Sequence, residues 1–322
     1  ALFMALALQA PRAHAGAYEA ELPANLASTP DMCSLLPCTE VFPGATHFSE
    51  RKGQPPYVEA YDNDSAQKKL LGYVMLSTDI TDTPAYSGKP VVTLIGMDTK
   101  GHFVGLKVLK HSEPILLLGI PESALINFNN QYVGKSVTDT IEVGPSRPDE
   151  NVTGVDAISG ATVTVVAQNQ VVMTSGAAVA RQTGIIAPTV REPAKFATTG
   201  QKYDWAQLVK MGAVQQLLVK PEQVGLPRGP EPFIELWFGD LNQPDIGRSV
   251  LGDNAFDSLR SRLKEGENAL FVIKTAGQES FKGSGFVRGG IFDRVQVKQG
   301  ADSFTFRDLD SYNLYGLEAG GA

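Results

Sequence analysis

The chain has 322 residues and a net charge of -7 at pH 7, and 43% of its residues are hydrophobic while 20% are charged. This composition suffices for two folded domains and argues against intrinsic disorder. The negative net charge argues against a broad nucleic-acid-binding face, because phosphate binding needs clustered lysine and arginine. We therefore expect no nucleic-acid partner.

The first ten residues are mostly apolar, and Ala13-His14-Ala15 follows them after Pro11. This pattern is typical of a secretory signal peptide with an A-x-A cleavage site, although the starting methionine and the basic leader are missing. A membrane anchor is the alternative, but about ten apolar residues are too few to span a bilayer. We predict a residual signal peptide over 1–15, an N-terminal extension over 16–45 and an exported protein.

The two cysteines, Cys33 and Cys38, lie near the predicted mature N-terminus. In an exported protein such a pair most simply forms a disulfide. A metal site is the alternative, but His47 is the nearest additional candidate ligand, so we predict no metal. The sequence also shows no Ser-His-Asp or HExxH arrangement, and we assign no catalytic residue.

A first α+β module is predicted over 46–186. Its predicted strands are 69–80, 90–98, 103–110 and 152–158, and its predicted short helix is 122–131. Gly101 supports a hairpin turn between the second and third of these strands. The apolar stretch 114–126 is interrupted by Gly119 and Pro121, so we interpret it as a buried strand and turn.

Residues 162–182 contain many β-branched side chains, which favour strands locally. The stretch is long for a strand, however, and Gly184 stands where a helix would end. Val165, Val172 and Ala177 can share one buried side at approximately helical spacing. We therefore predict a helix over 162–182.

Proline residues and paired threonines predict a linker over 187–201, followed by a second, smaller α+β module over 202–322. The predicted helices of this module are 204–218 and 254–264, and its predicted strands are 233–238, 269–275 and 293–297. The sequence does not indicate what the second module does.

The six residues 159–164, Ser-Gly-Ala-Thr-Val-Thr, open the predicted long helix. Gly160 permits a tight turn and the close approach of a ligand. Free backbone N–H groups and the positive end of the helix dipole attract a phosphate at this place. The alternative is that Ser159 or Thr162 simply caps the helix. Capping explains one hydroxyl but does not require the whole pattern.

The pattern of 159–164 resembles the flavinylation site of the FMN-binding domain family. The resemblance implies that a flavin transferase splits FAD and joins FMN, through its phosphate, to Thr164. We expect this hydroxyl to be exposed and aimed at the phosphate, as a position in the first helical turn suggests. Asp156 is implied to help the transferase, although a turn-forming aspartate is an equal alternative. The predicted cofactor-binding residues are Thr164, Ser159, Gly160, Ala161, Thr162, Val163, Asp156 and Glu113.

Glu113 is included because other members of this family have an E-T-x-G segment near the flavin. In His111-Ser112-Glu113-Pro114 only the glutamate corresponds, since the threonine is absent. Phe128 and Tyr132 are candidates to pack beside the isoalloxazine ring. Aromatic residues spaced four apart on a helix more often belong to the core, so both interpretations stay open.

Residues 107–137, 156–165, 235–256 and 280–297 resemble the exported N-terminal part of the NosR and NirI family, which covers nearly the whole mature chain. The resemblance implies an α+β fold: an FMN-binding domain over 46–186 with an antiparallel sheet and packed helices, then the second module. It also implies a location at the periplasmic face of the inner membrane. Membrane helices and iron-sulfur clusters are expected only in a C-terminal part that this sequence lacks.

The function implied by the resemblance is electron transfer in denitrification, as a component that supports nitrous-oxide reductase activity and maturation. The implied partners are nitrous-oxide reductase, the flavin transferase during maturation, and the membrane through the missing C-terminal part. The alternative is a regulatory or assembly module that binds FMN or a protein partner without transferring electrons. Either function describes a component of a larger system, and the chain is not expected to act as a stand-alone enzyme.

Overall fold

The computed structural model describes residues 17–62, 68–187, 195–196, 198–283, 289–299 and 302–320. The predicted signal peptide, 1–15, and residues 188–194 and 197 of the predicted linker lie outside the described residues. The chain divides into two compact units. Unit 1 includes the described residues up to 187 together with those of 289–291 and 296–305, and unit 2 includes the remainder.

An antiparallel five-stranded sheet lies at the centre of unit 1. Its strands follow chain order: β1 (His47–Phe48), β2 (Val58–Asp62), β3 (Lys69–Leu76), β4 (Val92–Asp98) and β5 (Phe103–Lys110). The structure confirms the predicted hairpin, which is formed by β4 and β5. The predicted strand 69–80 is too long, because Ser77–Asp79 is a 3-10 helix. The Ser77 hydroxyl there accepts a hydrogen bond from the backbone N–H of Thr93, at 2.9 Å.

Both faces of this sheet are buried. Tyr73 and Met75 of β3 belong to one hydrophobic core, and the alternate residues Val74 and Leu76 belong to the other. This alternation is the two-residue period of a strand. The N-terminal segment, including the short helix α1 (Cys38–Val41), packs on the second core. Each face of the sheet therefore contributes apolar side chains to a core of its own.

A disulfide within the N-terminal segment and two glycines of the sheet shape the packing of this segment. Cys33 and Cys38 form a disulfide. Gly96 and Gly105, which are partners in β4 and β5, let α1 approach closely. A Cβ atom at Gly96 would lie 2.3 Å from the Val41 carbonyl oxygen, and one at Gly105 would lie 2.7 Å from it. Any larger residue at these positions would push α1 off the sheet.

The first core is completed by helices α2 (Glu122–Asn130) and α3 (Thr162–Gln182). The structure confirms both predicted helices. In α3 the β-branched residues are accommodated because tertiary burial overrides local propensity: most of the helix is buried around its whole circumference. The interpretation of 114–126 as a buried strand is wrong. Pro114–Leu117 is a 3-10 helix, and Leu117 and Leu118 are 57% and 81% exposed.

A second, parallel sheet of unit 1 consists of β6 (Thr140–Val143) and β7 (Val152–Val155). The predicted strand over 152–158 therefore ends three residues early. Residues 156–161 instead form the approach to α3. In the part of the chain that the structure describes, no helix has the length and apolar character needed to cross a bilayer.

In its described residues, unit 2 contains a three-stranded antiparallel sheet with the order β10-β9-β8 and three α-helices. The elements are α4 (Trp205–Lys210), β8 (Val214–Val219), β9 (Ile234–Asp240), α5 (Pro244–Leu251), α6 (Asp253–Arg262) and β10 (Leu270–Ala276). Its core is centred on Trp205, Leu208 and Phe271. The predicted helix 204–218 is wrong beyond Lys210, because Gly212 adopts φ +77° and the chain continues as β8.

The remaining strands, β11 (Ile291–Gln299) and β12 (Asp302–Arg307), form a two-stranded sheet. Residues of β11 belong to both units. Helices and strands are thus mixed in both units, which confirms the predicted α+β class.

Candidate functional site

A tight turn leads into α3. The backbone N–H of Ala161 donates to the carbonyl of Ile158 at 3.0 Å, which closes a four-residue turn. Gly160, the third residue of the turn, has φ +80°. A positive φ at this position is typical of a type II turn and favours glycine. The turn exposes Ser159, Gly160 and Thr162 while Ala161 and Val163 are buried.

The N-terminus of α3 has no side-chain cap. The N-cap residue is Ala161, and among the described residues no side-chain cap hydrogen bond is formed there. The first backbone N–H groups of a helix have no partner within the helix. The capping interpretation of Ser159 and Thr162 therefore has no support in the geometry, and the first N–H groups and the dipole of this helix favour an anionic group.

Thr164 lies in the first turn of α3 and is fully buried. Its Oγ1 donates a hydrogen bond to Oε2 of Glu113, which is also fully buried. The expectation that this hydroxyl is exposed is wrong. The helical position alone does not decide exposure, because the segment after β5 crosses the start of α3 and places Glu113 on the hydroxyl.

Glu113 is held by backbone groups of a loop between β3 and β4. Its two carboxylate oxygens accept hydrogen bonds from the N–H groups of Tyr86, at 3.2 Å, and Ser87, at 2.9 Å. Burying a carboxylate is costly unless its oxygens are hydrogen-bonded. Together with Thr164, these two donors satisfy the carboxylate and fix its position.

His111 supports Glu113 from the other side. The backbone N–H of Glu113 donates to Nδ1 of His111 at 3.2 Å. Nδ1 is therefore an acceptor, and the ring hydrogen lies on Nε2, which faces Oε1 of Glu122 at 3.3 Å. The ring is buried and packs edge-on against Tyr18 with 5.6 Å between ring centroids. The structure thus places His111 inside this network.

Asp156 is exposed, and its backbone is fixed by a neighbouring helix end. The Asp156 N–H donates to Oε1 of Gln131 at 2.7 Å, and Nε2 of Gln131 donates to the Asp156 carbonyl at 3.2 Å. These bonds use only the backbone of Asp156. Its carboxylate is left on the surface beside the turn.

A second polar cluster lies one helical turn further along α3. Nε2 of Gln168 donates to Oγ1 of Thr93 and to Oδ1 of Asn129, both at 2.9 Å, and all three residues are buried. Oε1 of Gln168 and Nδ2 of Asn129 have no hydrogen-bond partner among the described residues. The sequence signal for this cluster is a glutamine four residues after Thr164, on the same side of the helix.

The two aromatic candidates lie in the core. Phe128 and Tyr132 stack edge-on, with 5.7 Å between ring centroids, and Tyr132 stacks in the same way on Phe103. The Tyr132 hydroxyl donates to Oδ1 of Asn169 at 2.7 Å. Burial raises the pKa of Tyr132 well above its ordinary value. The geometry agrees with the core interpretation of both residues.

Several features of the site fit an FMN phosphate. They are an uncapped helix start, a glycine turn and a threonine hydroxyl in the first helical turn. FMN would supply redox chemistry at its ring system. The described residues contain no cluster of three or more side chains suited to holding a metal ion.

Comparisons with known proteins agree with this fit. Residues 86–175 match the FMN-binding domain family. The matched region includes Glu113, the turn at Gly160, Thr164 and most of α3.

Three relatives extend the similarity beyond this domain. The chain is 39% identical over 305 residues to the regulatory protein NosR of Pseudomonas aeruginosa, which covers 89% of this chain and 42% of that protein. It is 39% identical over 272 residues to the regulatory protein NosR of Stutzerimonas stutzeri, covering 79% and 37% of the two chains. It is 27% identical over 246 residues to the protein NirI of Paracoccus denitrificans, covering 74% and 34%.

The chain spans between 34% and 42% of the length of these relatives. The similarity covers both units, whereas the FMN-binding domain match lies within unit 1. The chain therefore contains an FMN-binding domain and belongs to the NosR/NirI family, whose FMN-binding region it represents.

Proposed function

We propose that this protein is a flavoprotein that carries FMN covalently, as a phosphoester of Thr164. The observation that supports this most directly is the position of the Thr164 hydroxyl. It lies in the first turn of a helix whose N-terminus has no side-chain cap, and it donates to a buried carboxylate. The open N–H groups and the helix dipole would bind the phosphate oxygens beside the linkage.

Attachment at Thr164 requires the surrounding chain to move, because the hydroxyl is fully buried. The segment that follows Glu113 is the best candidate for this movement. It contains exposed Leu117 and Leu118, and Ile120 lies over the turn, with its Cδ1 3.5 Å from the position of a Cβ on Gly160. Displacing this segment would open the start of α3.

The proposed role of the bound flavin is electron transfer at the periplasmic face of the inner membrane. We propose that the flavin receives electrons from a membrane-bound part of a longer protein, where iron-sulfur clusters are expected, and passes them toward nitrous-oxide reductase. Covalent attachment suits an exported protein, because free flavin that dissociates there is lost. A flavin transferase is the proposed partner during maturation.

A regulatory role is the second candidate. Two relatives of the chain bear the name regulatory protein NosR. In this role the FMN-binding region would act in the expression or assembly of nitrous-oxide reductase without transferring electrons to it. Normal reductase activity in cells that carry a flavin-free variant would favour this role, and loss of activity with normal reductase levels would favour electron transfer.

The covalent linkage is tested by exporting the protein in cells that also express a flavin transferase. The intact mass is expected to increase by FMN less one water, and the denatured band is expected to fluoresce. Peptide mapping should place the adduct on Thr164. Thr164→Ala should lose the adduct completely, whereas Thr162→Ala, which keeps the acceptor, should retain it. An unmodified wild-type mass in the presence of active transferase would contradict the proposal.

A further inference from the structure

We propose that Glu113 is a catalytic residue for the attachment of FMN and accepts the proton of the Thr164 hydroxyl as the phosphoester forms. This inference rests on the proposed attachment at Thr164. It assigns to this chain, and not to the transferase alone, the base that the reaction needs.

The geometry that supports this role is direct contact with the reacting atom. Oγ1 of Thr164 donates its hydrogen to Oε2 of Glu113, and both side chains are fully buried. A general base must lie within hydrogen-bonding distance of the proton that it removes. Among the described residues Glu113 forms no ion pair, so no cation competes with the hydroxyl for the carboxylate.

The carboxylate is preorganised by donors that do not react. The N–H groups of Tyr86 and Ser87 bind its two oxygens, and Nδ1 of His111 accepts the N–H of Glu113 itself. The backbone of Tyr86 and Ser87 and the side chain of His111 therefore hold Oε2 of Glu113 next to the Thr164 hydroxyl. His111 acts through Glu113 and is a positioning residue.

Attachment forms one bond at phosphorus and breaks another. Oγ1 of Thr164 forms a bond to the flavin-side phosphorus of a flavin adenine dinucleotide, and the bond from that phosphorus to the oxygen of the AMP phosphate breaks. The electron pair of the broken bond leaves with AMP. The hydroxyl proton moves to Oε2 of Glu113 and is then released to solvent. Nothing is oxidised or reduced.

A buried carboxylate with the same kinds of hydrogen-bond donors lies in unit 2. Asp245 is buried and accepts hydrogen bonds from the N–H and hydroxyl of Thr199 and from the N–H of Gly200. Glu113 and Asp245 thus bind the same kinds of groups: two backbone N–H groups and a threonine hydroxyl. Asp245→Asn is therefore the matched control for a substitution of Glu113.

The test measures the rate of attachment to the full exported chain. Wild-type protein is purified without flavin and incubated with excess flavin adenine dinucleotide, Mg²⁺ and purified flavin transferase, and the mass adduct is followed with time. Glu113→Gln keeps the size of the side chain but cannot take the proton, and Glu113→Asp keeps a carboxylate that is shorter. Far-UV circular dichroism and thermal unfolding establish that each variant is folded.

If Glu113 is the base, Glu113→Gln is expected to slow attachment by about 100-fold or more. Glu113→Asp should then react faster than Glu113→Gln, and Asp245→Asn should react like the wild type. A structural role predicts the opposite order, since glutamine preserves the volume that aspartate loses. Wild-type rates for Glu113→Gln would overturn the inference and assign the base to the transferase.

If the proposed attachment at Thr164 is wrong, the wild-type protein stays unmodified. If only the role of Glu113 is wrong, the wild-type protein is still modified.

If the Glu113 variants do not fold, the wild-type protein provides a second measurement. With transferase and dinucleotide in excess, the rate of the first turnover in D₂O is compared with that in H₂O. A slower rate in D₂O supports proton transfer during the bond-forming step, and an unchanged rate overturns the inference.

Discussion

Gly160 has a positive φ, which is energetically unfavourable for residues other than glycine. Its φ is +80°, in the left-handed region, where a Cβ atom costs about 1 kcal/mol or slightly more. A Cβ there would meet only Cδ1 of Ile120, at the ordinary contact distance of 3.5 Å. The cost of a side chain at this position therefore comes from the backbone and not from crowding.

We expect Gly160→Ala to lower the free energy of unfolding by about 1 kcal/mol and to slow flavin attachment, because the turn that presents the start of α3 is strained. Urea unfolding and the mass-adduct assay measure the two effects. Gly44→Ala is the control, since Gly44 has no atom within 4 Å of its Cβ position and no positive φ. Equal stability of the two variants would show that the turn relaxes without cost.

At the scale of single residues, the sequence predicted the turn at Gly160, and the family resemblance included Glu113 among the cofactor-binding residues, but neither predicted the contact between Glu113 and Thr164. Gly160 and Thr164 lie within six consecutive residues. The conformational freedom of glycine and the anion-binding character of a helix start can therefore be applied to them directly from the sequence. Glu113 is 51 residues away from Thr164, and its contact depends on where β5 ends over α3. No periodicity in the sequence encodes that crossing.

The long helix α3 packs on the sheet through a glycine. A Cβ on Gly176 would lie 2.7 Å from Cγ1 of Val137 and 2.9 Å from ring atoms of Phe103. Such distances are far below van der Waals contact, and both neighbours are themselves buried. The helix therefore needs a residue without a side chain at this point, although glycine weakens a helix by about 1 kcal/mol relative to alanine.

We expect Gly176→Ala to lower the free energy of unfolding by about 1 to 2 kcal/mol, because overpacking outweighs the gain in helix propensity. The neighbouring Ser175→Ala should be neutral or stabilising. Its Oγ is buried without a hydrogen-bond partner in the part of the chain that the structure describes, and alanine removes that unpaired group. Thermal or urea unfolding compares the two variants. A stabilised Gly176→Ala would mean that propensity dominates and that Phe103 moves aside.

The elements that sequence reasoning predicted well are those with a long, consistent pattern. Helix α3 and the hairpin of β4 and β5 are examples. The predicted helix 204–218 failed because a helix and a strand follow each other with only a short turn between them, at Gly212. Helix α5 was not predicted, although its proline lies at the first helical position, where proline favours the start of a helix.

At the scale of the whole molecule, the region that matches the FMN-binding domain family is shorter than unit 1. The FMN-binding domain match begins at residue 86, whereas the sheet of unit 1 begins at His47. Three strands of that sheet and the disulfide-closed N-terminal segment therefore precede the matched region. They form the second core on the sheet face opposite α3, which suggests that 86–175 alone would leave a large apolar face exposed.

Unit 1 also contains a long-range ion-pair cluster that links distant parts of the chain. Glu142 of β6 pairs with Lys298 of β11, which is 156 residues away, and with Arg147. Burial opposes ionisation of Glu142, but its hydrogen bonds to Lys298 and Arg147 outweigh this effect and lower the pKa of the carboxyl below its ordinary value of 4.5. The ionised form is therefore stabilised by folding.

A carboxyl whose pKa is lowered in the folded protein adds stability above its ordinary pKa, and that stability is lost as the pH falls through the lowered value. We expect Glu142→Gln to reduce the free energy of unfolding near pH 7 by less than about 1 kcal/mol, because the cluster is partly exposed. The difference from the wild type should shrink below a pH of about 4.5.

Urea unfolding at a series of pH values measures this convergence. Glu150→Gln is the control, because Glu150 pairs with the same arginine but has 63% of its side chain exposed. Glu150→Gln should reduce the free energy of unfolding by less than Glu142→Gln does near pH 7, since an exposed ion pair is well screened by solvent. A difference in the free energy of unfolding between Glu142→Gln and the wild type that stayed constant into the acid range would contradict this prediction. The loss of stability would then come from packing and not from the charge of Glu142.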